Sequence, residues 1–216
     1  MPINQQERFW DHKHTEVYPN LFEPTELGIQ SVQYFKSINA KVILELGCGR
    51  TGDSLLLSEN GFRVVATDIS LIALQSMQRH LHTIQEKYSK NISCVQIDMS
   101  HPLPFASASF DGVFSRLGIH YFPDNATTRL FGEIHRILKR RGCFVVNVKS
   151  VEEQRFSQGK MIEPNVYILD GHIRHFFTME YMKNKTSIFD RCDIKESVVI
   201  SGKNDQRPTI EAVAFK

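Results

Sequence analysis

The chain has 216 residues, 41% of them hydrophobic and 23% charged, with a formal net charge of +2. That length suits one domain that buries its core without disulfide or metal staples. The small charge excludes the electrostatic footprint of a nucleic-acid or membrane-surface partner, so neither is expected.

Four cysteines, Cys48, Cys94, Cys143 and Cys192, form no C-x-x-C pair, which predicts reduced thiols and no metal site. The first residues, MPINQQERFWDHKH, lack a signal-peptide core, and no apolar run approaches the length of a membrane span. A cytoplasmic protein, monomer or homodimer, is expected.

In chain order, an aromatic and imidazole-rich stretch (Phe9, Trp10, His12, His14, Tyr18) precedes a helix from about Pro24 to Ile38. Lys41–Leu46 is a short aliphatic run that reads as a strand buried on both faces. Gly47 to Gly52 turn the chain into a helix carrying Leu55, Leu56 and Leu57, which stops at Asn60-Gly61. Arg63–Thr67 is a second strand. Ser70 then caps a helix with an apolar face of Leu71, Leu74, Met77, Leu81 and Ile84.

Ile92–Ile97 and Asp111–Ser115 are the third and fourth strands. Asp124 is expected to cap a helix that Lys139-Arg140-Arg141 close and Gly142 breaks, and Phe144–Val148 is the fifth strand. Residues 151–177 read as a long substrate-side loop with a turn at Asp170-Gly171. Thr178 caps a last helix, and strands near Ile194–Ile200 and Thr209–Phe215 form an antiparallel hairpin. The alternation predicts one α/β domain over 1–216 with a doubly wound, seven-stranded, mostly parallel sheet. Its parts are an N-terminal lid (1–38), a cofactor-binding core (40–150) and the loop at 151–177. Ligands of such sheets sit beyond the carboxyl ends of the strands.

Glu45-Leu-Gly47-Cys48-Gly49-Arg-Thr-Gly52 occupies the first strand-to-helix turn, where glycines take positive φ and let a ligand approach the backbone. Asp68 closes the next strand, about 20 residues on, where a carboxylate accepts from ribose hydroxyls. The glycine string by itself fits a dinucleotide equally well. Glu45 tips the choice, because a carboxylate there repels a pyrophosphate but holds the cationic amino group of a methionine tail. Asp98, ending the third strand, is placed to accept from an adenine amino group.

The segment VILELGCGRTGDSLLLSENGFRVVATDIS resembles the first cofactor-binding motif of class I S-adenosylmethionine-dependent methyltransferases, in particular the small bacterial TehB-like group and the type 11 and type 25 methyltransferase domains. The likeness continues through CVQIDMSHPLPFASASFDGVFSRLGIHYF and EIHRILKRRGCFVVNVKS. It implies a Rossmann-like fold, S-adenosyl-L-methionine as cofactor and S-adenosyl-L-homocysteine as product. Carried over by position, it implies that Glu45, Gly47, Cys48 and Gly49 form the methionine-side loop. Asp68 becomes the ribose ligand, with Ile69, Asp98 and Met99 about the adenine and Arg116 and Leu117 near the methionine. One departure is that Arg50-Thr51 precede Gly52, which reshapes the loop.

Methyl transfer is an in-line displacement that needs alignment and at most one proton removed. His120 and Tyr121, just past the fourth strand, are the catalytic candidates. Trp10, His14 and Tyr18 in the lid, with His172 and Arg174 in the loop, are the candidates for binding a small-molecule acceptor with an O, N or S nucleophile. Two other classes stand beside this reading. A non-catalytic S-adenosylmethionine-binding module has the same motifs. A NAD-dependent oxidoreductase would use Tyr181 and Lys185, which come late in the chain. The Asn/Asp-Pro-Pro-Tyr string and the Pro-Cys nucleophile of nucleic-acid methyltransferases are absent from the sequence.

Overall fold

The computed structural model describes residues 3–16, 23–50, 52–201 and 205–216. Helices α1 (Ile3–Glu16) and α2 (Glu26–Ser37) precede β1 (Val42–Leu46), α3 (Asp53–Glu59), β2 (Arg63–Asp68), α4 (Leu71–Leu81), α5 (Glu86–Ser89) and β3 (Ile92–Gln96). Next come β4 (Phe110–Arg116), α6 (Asp124–Ile137) and β5 (Leu138–Lys149). Three short strands follow, β6 (Lys160–Glu163), β7 (Val166–Leu169) and β8 (His172–His175). The chain finishes with α7 (Met179–Thr186), β9 (Arg191–Ser201) and β10 (Asp205–Phe215). The seven-stranded sheet has the order β3-β2-β1-β4-β5-β10-β9, with its first five strands parallel and β10 antiparallel to both neighbours. The expected doubly wound sheet and antiparallel hairpin are both present.

The central strands are apolar on consecutive residues because each face needs its own core. Leu44, Val113, Phe144 and Val146 pack beneath α6 and α7, with Phe131 and Ile134. Their chain neighbours Ile43, Phe114 and Val145 pack on the opposite face with Phe35, Leu57, Leu74 and Met77. Two helices are capped as their sequences predict: Ser70 Oγ accepts from Ala73 N at 3.1 Å and Thr178 Oγ1 from Tyr181 N at 3.0 Å.

Four expectations need correction. Lys139-Arg140-Arg141 do not close a helix: α6 ends at Ile137, and the basic run lies in a bulged start of β5, where Arg141 has φ +63° and Lys139 Nζ reaches Asp111 Oδ1 at 2.8 Å. The last carbonyls of α6 are served instead by Lys216, whose Nζ donates to His135 O and to Leu138 O at 2.8 Å. Asp124 is not the cap; it is the first helical residue, and its carboxylate accepts from Tyr181 Oη and faces Lys185 Nζ, both at 2.6 Å. That pairing fixes Tyr181 and Lys185 as a surface anchor between α7 and α6. Helix α4 stops at Leu81, short of Ile84.

Residues 151–177 are not an irregular loop, since β6-β7-β8 form a separate antiparallel sheet. The connection hairpins at Asp170 (φ +53°) and Gly171 (φ +78°), the turn its sequence marks. Its two ends meet, with Val151 N donating to Phe177 O at 3.1 Å and Phe177 N to Lys149 O at 2.8 Å. Among the described residues no helix is long and apolar enough to cross a membrane.

Candidate active site

The carboxyl ends of β1, β2, β4 and β5 open into a cavity of about 770 Å³, within the range of small-molecule sites. Helix α1 forms one wall with Gln6, Phe9, Trp10, Lys13 and His14. These positions recur at the three- and four-residue spacing of one helix face. Asp11, between them, fastens the helix down: its Oδ1 accepts from Ser70 Oγ at 2.6 Å and Ile72 N at 3.2 Å.

The glycine turn supplies a second wall. Gly47 and Gly49 sit at φ +74° and +52°, which a side chain resists. A Cβ on Gly49 would stand 3.4 Å from His14 Cε1, so the lid packs directly on the loop. Gly47 N and Cys48 N both donate to Thr67 O at 2.9 Å, which holds the turn against β2.

Asp68 braces the same turn. Its Oδ2 accepts from Gly49 N at 2.9 Å and its Oδ1 from Ser70 N at 2.8 Å, while burial pushes its pKa upward against those bonds. Glu45 lies behind the turn, 2% exposed, and is not on the cavity wall. Ser54 Oγ donates to Glu45 Oε2. Burial, aided by the nearby carboxylates of Asp53 and Asp68, pushes Glu45 up to about 8. A carboxyl group in that setting holds a proton at neutral pH until a cation replaces it.

Asp98 Oδ1 accepts from Ser100 N at 2.8 Å, and Oδ2 stands 3.5 Å from His101 Nδ1. Ile69, Met99, Arg116 and Leu117 complete this part of the wall. Leu117 has φ +53° and is pinned by Asn147, whose Oδ1 and backbone O accept from Leu117 N at 3.0 and 3.1 Å. Opposite lies a ring cluster. Trp10 meets Tyr121 edge-on at 4.7 Å between centroids, and Phe9 lies 4.3 Å from His172.

Residues 43–142 match the family model of a methyltransferase domain. A solved structure of an S-adenosylmethionine-dependent methyltransferase from Methanosarcina mazei is similar to it at 20% identity and TM-score 0.67, over 81% of this chain and 92% of that one. Burkholderia thailandensis 1,6-didemethyltoxoflavin-N1-methyltransferase, solved with 1,6-didemethyltoxoflavin and S-adenosylhomocysteine, is similar at 17% identity and TM-score 0.68, over 99% of this chain and 87% of that one. At such identities the likeness is one of fold. No curated protein matches the sequence.

The fold brings most of the sequence-predicted residues to one cavity. Gly47, Cys48, Gly49, Asp68, Ile69, Asp98, Met99, Arg116 and Leu117 line it, as do Tyr121, Trp10, His14, His172 and Arg174. Tyr18 lies outside the described residues. The Cys48 thiol is raised well above its usual range by burial, so this residue serves the wall as a small apolar group.

His120 does not reach the wall. It is 0% exposed behind Tyr121, with ring centroids 4.2 Å apart, and both ring nitrogens are buried without a hydrogen-bond partner. Burial, together with Lys149, Arg174, His175 and His172 around it, holds its pKa well below the usual imidazole value. It is a neutral packing residue here, and the base role expected from its position has no geometric support.

The lining residues that were not among the expected site residues include Lys149, Arg155 and Arg207. Lys149 ends β5, where the rule of carboxyl ends directs attention. Arg207 comes from an antiparallel strand whose amino-terminal half lies at the same edge, and no local sequence signal marks it.

Proposed function

We propose that this methyltransferase moves a methyl group from S-adenosylmethionine to a free small-molecule acceptor enclosed beneath α1. The observation that carries the reading is the glycine turn on the cavity wall, with Gly47 and Gly49 at positive φ and Asp68 bracing it from the end of β2. Glu45, buried behind that turn with its carboxyl pushed up to about 8, backs the loop that would receive the amino-acid tail.

In this assignment Glu45 and the Gly47–Gly49 backbone hold the methionine moiety. Asp68 takes the ribose, while Ile69, Asp98 and Met99 bound the adenine. When bound, S-adenosylmethionine supplies an electrophilic methyl, the sulfur keeping the carbon–sulfur electron pair as the acceptor's nucleophile forms the new bond. The protein's own part is alignment and water exclusion. The joined rings of Trp10 and Tyr121 give the acceptor one apolar surface, and α1 forms the wall above it. His172, held down to about 4 by burial and by Arg174, is a neutral imidazole on the wall at pH 7 and takes up an acceptor proton only weakly. Acceptors that are anionic or already deprotonated therefore suit the site better than alcohols.

Calorimetry with S-adenosylhomocysteine and with NADH tests the cofactor assignment, and a screen of acceptors with tritiated methyl donor tests turnover. Tight binding of the homocysteine product with no heat from NADH is the expected result. Uptake of NADH alone would overturn the reading, and cofactor binding with no acceptor methylated would leave a binding module.

A further inference from the structure

Basic side chains gather at one end of the cavity, while Arg50 lies at the other beside the glycine turn. Asp68 and Asp98 lie at the ends of β2 and β3. Lys149 and Arg207 lie on β5 and β10, and Lys149 is three strands from Asp68, roughly 14 Å at the usual strand spacing. Arg155 and Arg174 reach the same end from the inserted segment. Of the carboxylates that line the cavity, only Asp170 is at this end, and its side chain is 67% exposed.

The cations are only partly neutralised. Glu153 serves two of them, Lys149 at 3.4 Å and Arg155 at 2.9 Å. Arg207 is paired with Asp205 at 2.6 Å. Arg174 is 7% exposed, its Nε donates to His172 Nε2 at 3.3 Å and its Nη2 to Asp170 Oδ2 at 3.3 Å, yet Nη1 is buried with no partner. Leaving a guanidinium N–H dry and unpaired is costly, so a ligand oxygen that completes it is favoured. Lys149, 7% exposed, is pushed down to about 8 chiefly by burial, with Glu153 opposing the shift and Arg155 and Arg174 adding to it. Against these charges stand the faces of Phe9, Trp10 and Tyr121.

We propose that the methyl acceptor is a small organic oxyanion, its carboxylate or phosphate seated on Arg174, Lys149 and Arg207 and its flat or apolar body packed against the joined Trp10–Tyr121 ring pair. This rests on the methyltransferase reading above and names the acceptor class for the same site. The oxyanion takes the vacant Arg174 donor, and the acidic end of the cavity remains for the cationic groups of the cofactor.

Trp10 is the only tryptophan of the chain and lies in the wall, so its fluorescence reports binding directly. Affinity for S-adenosylhomocysteine is measured first by calorimetry; its absence would count against the cofactor assignment and not against this one. With that product bound, benzoate and phenyl phosphate are titrated beside benzamide and benzylamine. The two anions are expected to bind at least tenfold more tightly than benzamide, and benzylamine more weakly still. Arg174→Gln should erase the preference while the affinity for S-adenosylhomocysteine stays within about threefold. Arg207→Gln, at a more exposed position, should reduce it several-fold and decides the matter if the first variant does not fold. Equal affinity for benzoate and benzamide, or an undiminished preference in the folded variants, would overturn the proposal.

Discussion

Asp11 caps a helix that begins 59 residues further on: its Oδ1 accepts the Ser70 hydroxyl at 2.6 Å, while Ser70 Oγ itself accepts from Ala73 N at the start of α4. The lid and the β2–α4 turn that carries Asp68 are thereby one unit. Asp11→Ala is expected to leave the sheet intact and cost about 1 kcal/mol, the worth of a lost hydrogen bond. It should raise the dissociation rate of S-adenosylhomocysteine several-fold and expose residues 3–16 to protease. Unaltered dissociation and protection in stopped-flow and limited proteolysis would show that α1 stays closed without this contact.

Asp68 has two duties, since its oxygens hold Gly49 N and Ser70 N as well as facing the cavity. Asp68→Ala should therefore weaken cofactor affinity by a hundredfold or more and also lower stability by about 1–3 kcal/mol, because two buried N–H donors lose their acceptor. Denaturant melts beside calorimetry check both. A variant of full stability would mean that water replaces the carboxylate at the glycine turn.

For Glu45, folding raises the pKa from the ordinary carboxyl range to about 8. Without ligand, stability is greatest below that ordinary range, falls as the pH rises and levels off above about 8, since the unfolded chain gives up the proton first. A cationic amino group placed beside Glu45 reverses the balance and expels the proton. Affinity for S-adenosylhomocysteine should thus climb between pH 6 and 8, with protons released to buffer at pH 7. Glu45→Gln should flatten that slope. Calorimetry in buffers of differing ionisation heat reads the released proton, and no release would place the amino group elsewhere.

His120, dry and unpartnered, gives the opposite kind of prediction. His120→Leu removes two buried nitrogens that find no acceptor or donor, so stability should hold or rise slightly. Turnover should stay within about threefold, with no new limb in its pH profile near pH 6–7. A loss of a hundredfold would restore the imidazole to the reaction.

The parallel sheet was legible because its strands are short aliphatic runs bounded by glycines and by Asp68 and Asp98, and capping serines and threonines mark the helix starts. The glycine turn and Asp68 on the cavity wall were legible because local spacing determines them, whereas Glu45, marked by the same spacing, lies buried behind the turn. The Lys139–Arg141 run misled because dipole logic is local, whereas Leu138 is drawn into the core and Asp111 waits across the sheet for Lys139. His120 was misplaced for a related reason: position along the chain puts it near the cavity, but the turn after β4 sends Tyr121 outward and His120 inward. The face Gln6, Phe9, Trp10, Lys13 and His14 could have been found from helical spacing. Arg207 could not, since its place depends on the register of β10 against β5.

The insert between β5 and α7 leaves and re-enters the fold at almost one point, with Ser150 bridged to Phe177, and its strands pair only with one another, while Glu163 and His175 tie it to Asp124 N and Phe122 O. Its side chains His172 and Arg174 nonetheless form part of the cavity wall. Such a pinched neck makes the segment an exchangeable cassette. Grafting a different one across the same two anchor residues would retune which molecules are modified while the donor machinery of β1 and β2 is inherited unchanged.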